Sequence, residues 1–453
     1  MRYGESVTAQ NDSSTASSTA AVQRDSGAQL LDELRWRGLF HQATHEADLV
    51  AHLGQAQRSA YAGFDPTADS LTIGNLMPLK LLMHWQRTGH RPVVLLGGGT
   101  GLIGDPSGKS AERQLLTREL VEHNVSCQRR IVERLMDFSG PAGARLCNNL
   151  DWLDGLSFIT VLRDIGKHFS VNAMMQRDSV RERLHNRDQG ISYTEFSYMI
   201  MQAYDFLHLR REQGITVQMG GSDQWGNILS GCDLIRRIQP EGQNESFGLT
   251  APLITRADGG KFGKTEAGTI WLSADRTSPY AFFQFWLNTD DSDVIRYLNL
   301  FTFFTRAEIA ELQAAHEKDP GGRSAHRALA RHMTELLHGE SERAQAEAAA
   351  QALFSGEIAT LPERTLAEVF ASVPTSEHDK AQLGAGVPLS DLLALTTLAK
   401  SKREAREFLA SGSVAINGRK AGADDKATTA DLLHGSLIAL RRGKKNWHLT
   451  RWK

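Results

Sequence analysis

Cysteine is scarce in this chain: Cys127, Cys147 and Cys232 are the only three in 453 residues, and none sits at a metal-ligand spacing. That excludes a disulfide framework and a zinc site, and it suits a reducing cytoplasm. No run of about 20 apolar residues occurs, which excludes a membrane-spanning helix. An overall excess of one charge is absent too, with 51 Lys and Arg against 53 Asp and Glu and a net charge of −2. The near-neutral sum hides an asymmetry, because residues 387–453 carry 13 Lys and Arg against 6 Asp and Glu and the preceding body is acidic. A basic module on an acidic body points to a polyanionic partner. The first 28 residues are rich in Ser, Thr and Ala and hold no apolar segment, so a disordered extension is expected there and not a secretory signal.

Apolar runs that end in glycine mark out the rest. The segment Ser59–Phe64 leads into a turn through Gly63 and Asp65-Pro-Thr67 and reaches Gly74 before a helical run that ends near Gly89. Arg91-Pro-Val-Val-Leu-Leu96 is continuously apolar, as in a strand buried on both faces, and empties into Gly97-Gly-Gly-Thr-Gly101. A third strand is expected at Ile215–Met219, followed by Gly220-Gly-Ser-Asp-Gln-Trp-Gly226. Three such strands predict an α/β fold: a Rossmann-like doubly wound parallel sheet over 29–250, with its site at the carboxyl edge and an insertion around 140–190. A helical domain over 251–350, a linker or the start of another unit at 351–385, and a small basic α+β domain at 386–453 complete the expectation. The last of these shows a helix at Lys402–Leu409 and short strands near Val414–Asn417 and Leu437–Leu440.

Two segments about 200 residues apart in the chain suit a triphosphate. Gly74 at a helix start lets phosphate approach backbone N–H groups that lack intrahelical partners. The loop Gly259-Gly-Lys-Phe-Gly-Lys-Thr265 brings Lys261 and Lys264 to bear on charge that develops as pyrophosphate leaves. By contrast, Gly104-Asp-Pro-Ser-Gly-Lys-Ser110 has three residues between its glycines where a P-loop needs four, and its proline removes an N–H from the cradle. Ser192-Tyr-Thr-Glu195 is a capping box that opens a helix. Phe196, Met199, Ile200, Ala203, Phe206 and Leu207 form its core stripe, while Tyr198, Gln202 and Asp205 share the opposite face. With Asp105 and Gln224 at neighbouring strand ends, this acid and amide group suits an ammonium, and Asp205 with Tyr61 suits a hydroxyl.

The phrases Tyr61-Ala-Gly-Phe-Asp-Pro-Thr67, Gly101-Leu-Ile-Gly-Asp-Pro-Ser-Gly-Lys109, Tyr193-Thr-Glu-Phe-Ser-Tyr198, Gln202-Ala-Tyr-Asp205, Gly221-Ser-Asp-Gln-Trp-Gly226 and Lys261-Phe-Gly-Lys-Thr265 resemble the bacterial tyrosyl-tRNA synthetases, a class I aminoacyl-tRNA synthetase family. The likeness runs from about residue 29 to 453 and takes in Ser401-Lys-Arg-Glu-Ala-Arg406 and Arg442-Gly-Lys-Lys445, similar to a small RNA-binding fold. The resemblance implies that tyrosine is activated by ATP, with Mg2+ and no organic cofactor, and is then passed to tRNA(Tyr). Tyr61 and Asp205 would bond the phenol, and Asp105, Tyr198 and Gln202 the ammonium. Gln224 and Asp65 would lie near the carboxylate and α-phosphate, Asp223 on the ribose, and Gly63 and Gly221 against the nucleotide. Thr67, Lys261, Lys264 and Thr265 would hold the outer phosphates, helped by Lys109 and Arg113. Lys402, Arg403, Arg406, Arg442, Lys444 and Lys445 would meet tRNA. A cytoplasmic homodimer is also implied.

One signature departs from the family's usual His-Ile-Gly-His: this chain has Thr72-Ile-Gly-Asn75, with Asn75 still able to donate to a phosphate and Thr72 expected to stand in as a phosphate donor beside Thr67. Thr72 and the basic tail would also suit a catalytically weak relative kept for RNA binding. Tyrosine-dependent exchange of pyrophosphate into ATP separates the two readings.

Overall fold

The structure, a computed structural model, describes residues 26–106, 115–177, 180–181, 184, 190–260, 262–265, 268–371, 373–443 and 446–453. Most of the expected N-terminal extension lies outside the described residues, and its last three residues already belong to the helix Ser26–Arg37. The chain divides into two units. One comprises residues 1–276 with 290–317, the other residues 277–289 with 318–453.

The first unit is built on a six-stranded sheet in the order β1-β6-β5-β2-β3-β4. Its strands are β1 (Gln42–Ala43), β2 (Ser59–Phe64), β3 (Arg91–Leu96), β4 (Arg145–Asn148), β5 (Val217–Gly221) and β6 (Phe247–Ala251). All neighbours run parallel except β1, which closes one edge antiparallel to β6. The order reverses between β2 and β5, and in such sheets a ligand crevice opens outside the carboxyl ends of the strands at that point. β2 and β3 fall where the sequence placed them. β5 lies two residues later than expected because Gly220 and Gly221 still pair with Thr250 and Ala251, while the Ile215 N–H turns back to the Leu209 carbonyl.

Two sequence expectations give way here. Residues 140–190 are not wholly an insertion: β4 is the edge strand of the main sheet, and only the chain beyond it leaves as a series of short helices. The expected helical domain 251–350 is also split. Buried Arg37 donates to the carbonyls of Asn299, Thr302 and Phe304, which fastens 290–317 to the sheet unit. Phe282 and Trp286 of the helix Pro279–Leu287 belong to the second unit, where the Phe282 ring meets His338 edge-on at 5.2 Å.

The second unit combines the helices Pro279–Leu287, Ser324–His338, Glu340–Ser355 and Glu363–Val369 with a five-stranded sheet. Besides a short antiparallel pair, β10 (Val387–Pro388) with β13 (Lys426–Ala427), it contains β9 (Thr375–His378), β11 (Val414–Ile416), β12 (Arg419–Lys420), β14 (Leu437–Arg442) and β15 (Asn446–Trp452). The sheet order is β12-β11-β14-β15-β9, with β9 parallel to β15. The stretch 351–385 is therefore not a linker. Ile358, Leu361, Leu366 and Phe370 share one core with Ala439 and Leu449, and β9 completes the sheet. Pro362 and Pro374 misled the sequence reading because each stands just before an element rather than inside a tether.

Candidate active site

A cavity of about 640 Å³ opens at the carboxyl ends of β2, β3 and β5, where the strand order reverses. Tyr61, Gly63, Asp65, Thr67, Gly74, Asn75, Asp105, Tyr198, Gln202, Asp205, Gly221, Asp223 and Gln224 all line it, so residues from five separate segments converge as expected.

The deep end is formed by the helix Tyr193–Gln213. Ser192 caps it by accepting from the Glu195 N–H at 3.3 Å, and this sets the rotation of every later side chain. Its polar face is not solvated: Tyr198 and Asp205 are 6 % and 1 % exposed. Asp205 Oδ1 accepts the Trp152 indole N–H at 2.7 Å and Oδ2 accepts the Asn149 amide at 2.9 Å. Burial raises the Asp205 carboxyl to about 7 against the pull of these two donors. Tyr61 lies within electrostatic reach of Asp205, and its buried hydroxyl has no hydrogen-bond partner among the described residues. An unpaired buried hydroxyl costs on the order of 1–3 kcal/mol, so a ligand hydroxyl arriving between Tyr61 and Asp205 satisfies a standing deficit.

A second network lies nearer the strand ends. Asp65 accepts from Thr100 Oγ1 at 2.7 Å and from the Tyr198 hydroxyl at 2.8 Å. Thr100 Oγ1 in turn accepts from Asn149 Nδ2 at 3.0 Å, and Asn149 Oδ1 accepts the Gly99 N–H at 2.7 Å. This chain links the deep end of the cavity, at Asp205, to the strand-end carboxylate of Asp65. It also explains the glycine run after β3: a Cβ on Gly97 would fall on Asp65 Oδ1 and Thr100 Oγ1. On the far side, Gln224 donates to Asp105 at 2.8 Å, while Asn227 donates to Gln202 at 2.9 Å. Asp223, raised first of all by burial, receives Gln224 at 3.3 Å.

The phosphate end differs from expectation at Thr72. Its hydroxyl donates to Asn75 Oδ1 at 2.8 Å and its backbone N–H to the same oxygen at 2.9 Å, so it closes a turn and does not line the cavity. Lys264 is exposed on a hairpin of β7 (Lys264–Thr265) and β8 (Gly268–Thr269) and likewise does not line the cavity. The hairpin is tied to the first motif: the Ile73 N–H donates to the Ile270 carbonyl at 3.0 Å, Thr72 bridges Trp271, and Gly263, with φ of 76°, lies against Ile73. Phe262 anchors its base by stacking on Phe301 at 5.3 Å. The two phosphate-suited segments are thus in contact across 200 residues of chain. Lys109, Arg113 and Lys261 lie outside the described residues, and of Thr265 only the backbone is described.

In the second unit, Lys402 pairs with Asp391 at 2.9 Å and Arg403 with Glu407 at 3.2 Å, both exposed pairs that hold their cations only weakly. Arg406 lies on the same helix, Lys402–Ala410. Arg442, half-buried, donates to the Leu398 carbonyl at 2.7 Å and lies over the Phe408 ring. Lys444 and Lys445 lie outside the described residues.

Sequence reasoning missed Thr100, Asn149, Trp152 and Asn227. Asn149 and Trp152 come directly after β4, so recognising Arg145–Asn148 as a strand of the main sheet would have placed them at the carboxyl edge.

Comparison with known proteins gives the family. The family described as class I tRNA synthetases (W and Y) matches residues 55–355, and a tyrosine–tRNA ligase C-terminal domain family matches 365–450. A tyrosine–tRNA ligase of Geobacillus kaustophilus is 49 % identical over 425 residues, covering 93 % of this chain and 99 % of that protein. One from Dechloromonas aromatica is 49 % identical over 426 residues, covering 94 % and 99 %. Among solved structures, a C-terminally truncated mitochondrial tyrosyl-tRNA synthetase of Aspergillus nidulans superposes with a TM-score of 0.67 at 29 % identity, covering 75 % of this chain and all of that one.

Proposed function

The chain belongs to the class I tRNA synthetases of the tryptophan and tyrosine group, and we propose that the cavity at the β2/β5 crevice is where it activates L-tyrosine. Its activity is that of a tyrosine–tRNA ligase: tyrosine and ATP give tyrosyl-adenylate and pyrophosphate, and the tyrosyl group then passes to the 3′-terminal ribose of tRNA(Tyr).

The observation that carries the assignment of the pocket is the buried, unpartnered Tyr61 hydroxyl beside Asp205. The substrate phenol donates to the Asp205 carboxylate and accepts from Tyr61. Asp105, Tyr198 and Gln202 surround the ammonium, and the carboxylate then points past Gln224 towards Asp65 and the turn at Gly74. ATP lies across Gly63, Gly221 and Asp223, with its outer phosphates towards Thr67, Asn75 and the Lys264 hairpin. The tyrosine carboxylate attacks the α-phosphorus in line as the bond to the bridging oxygen breaks, and the positive groups Lys109, Arg113, Lys261 and Lys264 stabilise the departing charge. No protein nucleophile is required; alignment and electrostatics supply the rate. Asp65 and Asp105 already accept protein hydrogen bonds, so Mg2+ enters with the triphosphate of its substrate and not through a carboxylate cage.

Residues 386–453 bind tRNA through Lys402, Arg403 and Arg406 together with Lys444 and Lys445, and the enzyme works in the cytoplasm. A homodimer accounts for a cluster of exposed apolar side chains after β4: Phe158, Ile159, Leu162, Val171 and Met175 are 43–67 % exposed. Sedimentation of Phe158→Asp tests this, with a shift to monomer expected and an unchanged mass against it. The central test is exchange of labelled pyrophosphate into ATP. Strong dependence on tyrosine with little response to phenylalanine supports the pocket as drawn; comparable rates with both amino acids refute it.

A further inference from the structure

We propose that Thr72 is a positioning residue which fixes the Asn75 carboxamide, so that Asn75 Nδ2, and not the Thr72 hydroxyl, is the donor this signature offers to the triphosphate. The inference rests on the reading of the cavity as an ATP site. Two donors converge on one oxygen: the Thr72 backbone N–H at 2.9 Å and the Thr72 hydroxyl at 2.8 Å both reach Asn75 Oδ1. A backbone N–H can only donate, so the atom facing it must be the amide oxygen, and this settles the orientation of the carboxamide. Its NH2 group is thereby turned the other way. Asn75 lines the cavity while Thr72 does not.

Thr72 is held in turn from the opposite side. It bridges Trp271 as paired backbone, the Ile73 N–H reaches the Ile270 carbonyl, and the Leu272 N–H reaches Leu71 at 2.8 Å. These residues continue directly from the hairpin that carries Lys264. Thr72 therefore links the amide donor of the first segment to the lysine-bearing hairpin of the second. A longer ring side chain at position 72 could contact phosphate itself; this threonine spends its one proton within the turn and acts through its neighbour.

The test is a double-mutant cycle on the full chain, read as the single-turnover rate of adenylate formation and as the Kd for tyrosine. Thr72→Val keeps the shape and removes the hydroxyl, and should slow adenylate formation about tenfold with tyrosine Kd unchanged, in line with the loss of one hydrogen bond. Thr72→Ser should restore most of the rate. In an Asn75→Ala background Thr72→Val should add little, because the group it positions is gone. Independent, multiplying losses would overturn the proposal and return Thr72 to direct phosphate contact; an unaltered rate in Thr72→Val would overturn it as well. If wild-type protein shows no tyrosine-dependent exchange, the ATP-site reading itself fails, an outcome distinct from either of these. Tm for each variant separates a folding defect from a catalytic one.

Discussion

The Trp152 indole is one of two donors to Asp205, and removing it has a consequence that can be worked out. Trp152→Phe keeps a ring to stack on His208, now 4.4 Å away, and deletes the 2.7 Å bond to Oδ1. A hydrogen bond to a charged acceptor is worth about 1.5 kcal/mol, and about 1.4 kcal/mol corresponds to one pKa unit. The Asp205 midpoint, about 7 in the intact protein, should therefore rise by about one unit. In the proposed pocket the phenol donates to the carboxylate, so tyrosine binding there needs Asp205 ionised. At neutral pH the ionised fraction falls from about a half to about a tenth, and tyrosine Kd should rise about fivefold. The ratio should shrink as pH is raised through about 9, where both proteins are ionised. Equilibrium dialysis of labelled tyrosine from about pH 6 to about pH 9.5 measures the midpoint directly. A Kd ratio that stays flat across that range would refute the argument, because it would place the effect of Trp152 in packing and not in the charge of Asp205. Stability carries the same signature with its own sign. The carboxyl is raised from 3.8, so its contribution to folding is fully present below that value and is lost as pH rises through about 7.

Gly97→Ala should reduce pyrophosphate exchange by about a hundredfold or more with the helices intact, because the new methyl displaces the Asp65–Thr100 bond; wild-type rates would show that this bond is dispensable. Lys402→Ala with Arg403→Ala and Arg406→Ala should raise KM for tRNA and flatten the salt dependence of charging, while exchange without tRNA stays at wild-type level. Equal loss in both assays would refute a separate tRNA role for this helix. Gly418, at φ of 88°, packs its backbone against the Gly356 carbonyl, so Gly418→Ala should cost about 2–4 kcal/mol and lower the denaturant midpoint of the second unit. An unchanged midpoint would mean that the turn relaxes freely.

The parts of the site that the sequence revealed are those where one residue type has one job. β2 and β3 were legible because six-residue, mostly apolar runs stopped at Asp65-Pro66 and at Gly97, and the helix at Tyr193 was legible because its capping box fixed its start. Asp205 was placed correctly by helical spacing, but its donors were not, since Asn149 and Trp152 adjoin a four-residue strand of mixed polarity that carries no periodic signal. Thr72 could be named as unusual and could not be given its partner, because whether a hydroxyl turns to a ligand or to its own turn depends on rotamer and not on composition. Segment 351–385 was misjudged for a related reason. Its prolines and glycines read as punctuation, whereas β9 draws its partner from the other end of the unit. A cut near Gly384 would accordingly remove β15 from β9 and open the core around Leu366, and it would not trim a tether.

The reversal of strand order between β2 and β5 also governs how the pocket comes into being. β2, β3 and β4 are contiguous early in the chain, whereas β5 and β6 come only after residue 216, and β1 waits for β6 before its edge is closed. These pairings join segments far apart in sequence, so their loop closure is entropically costly and slow relative to local helix formation. Tyr61 and Asp65 ride on the early part, Asp205 and Gln224 on the late one, and the pocket exists only along the joint between them. In the proposed arrangement tyrosine and ATP act as folding ligands as well as substrates: each would bind across the joint, favour the docked arrangement by mass action, and slow its opening once formed.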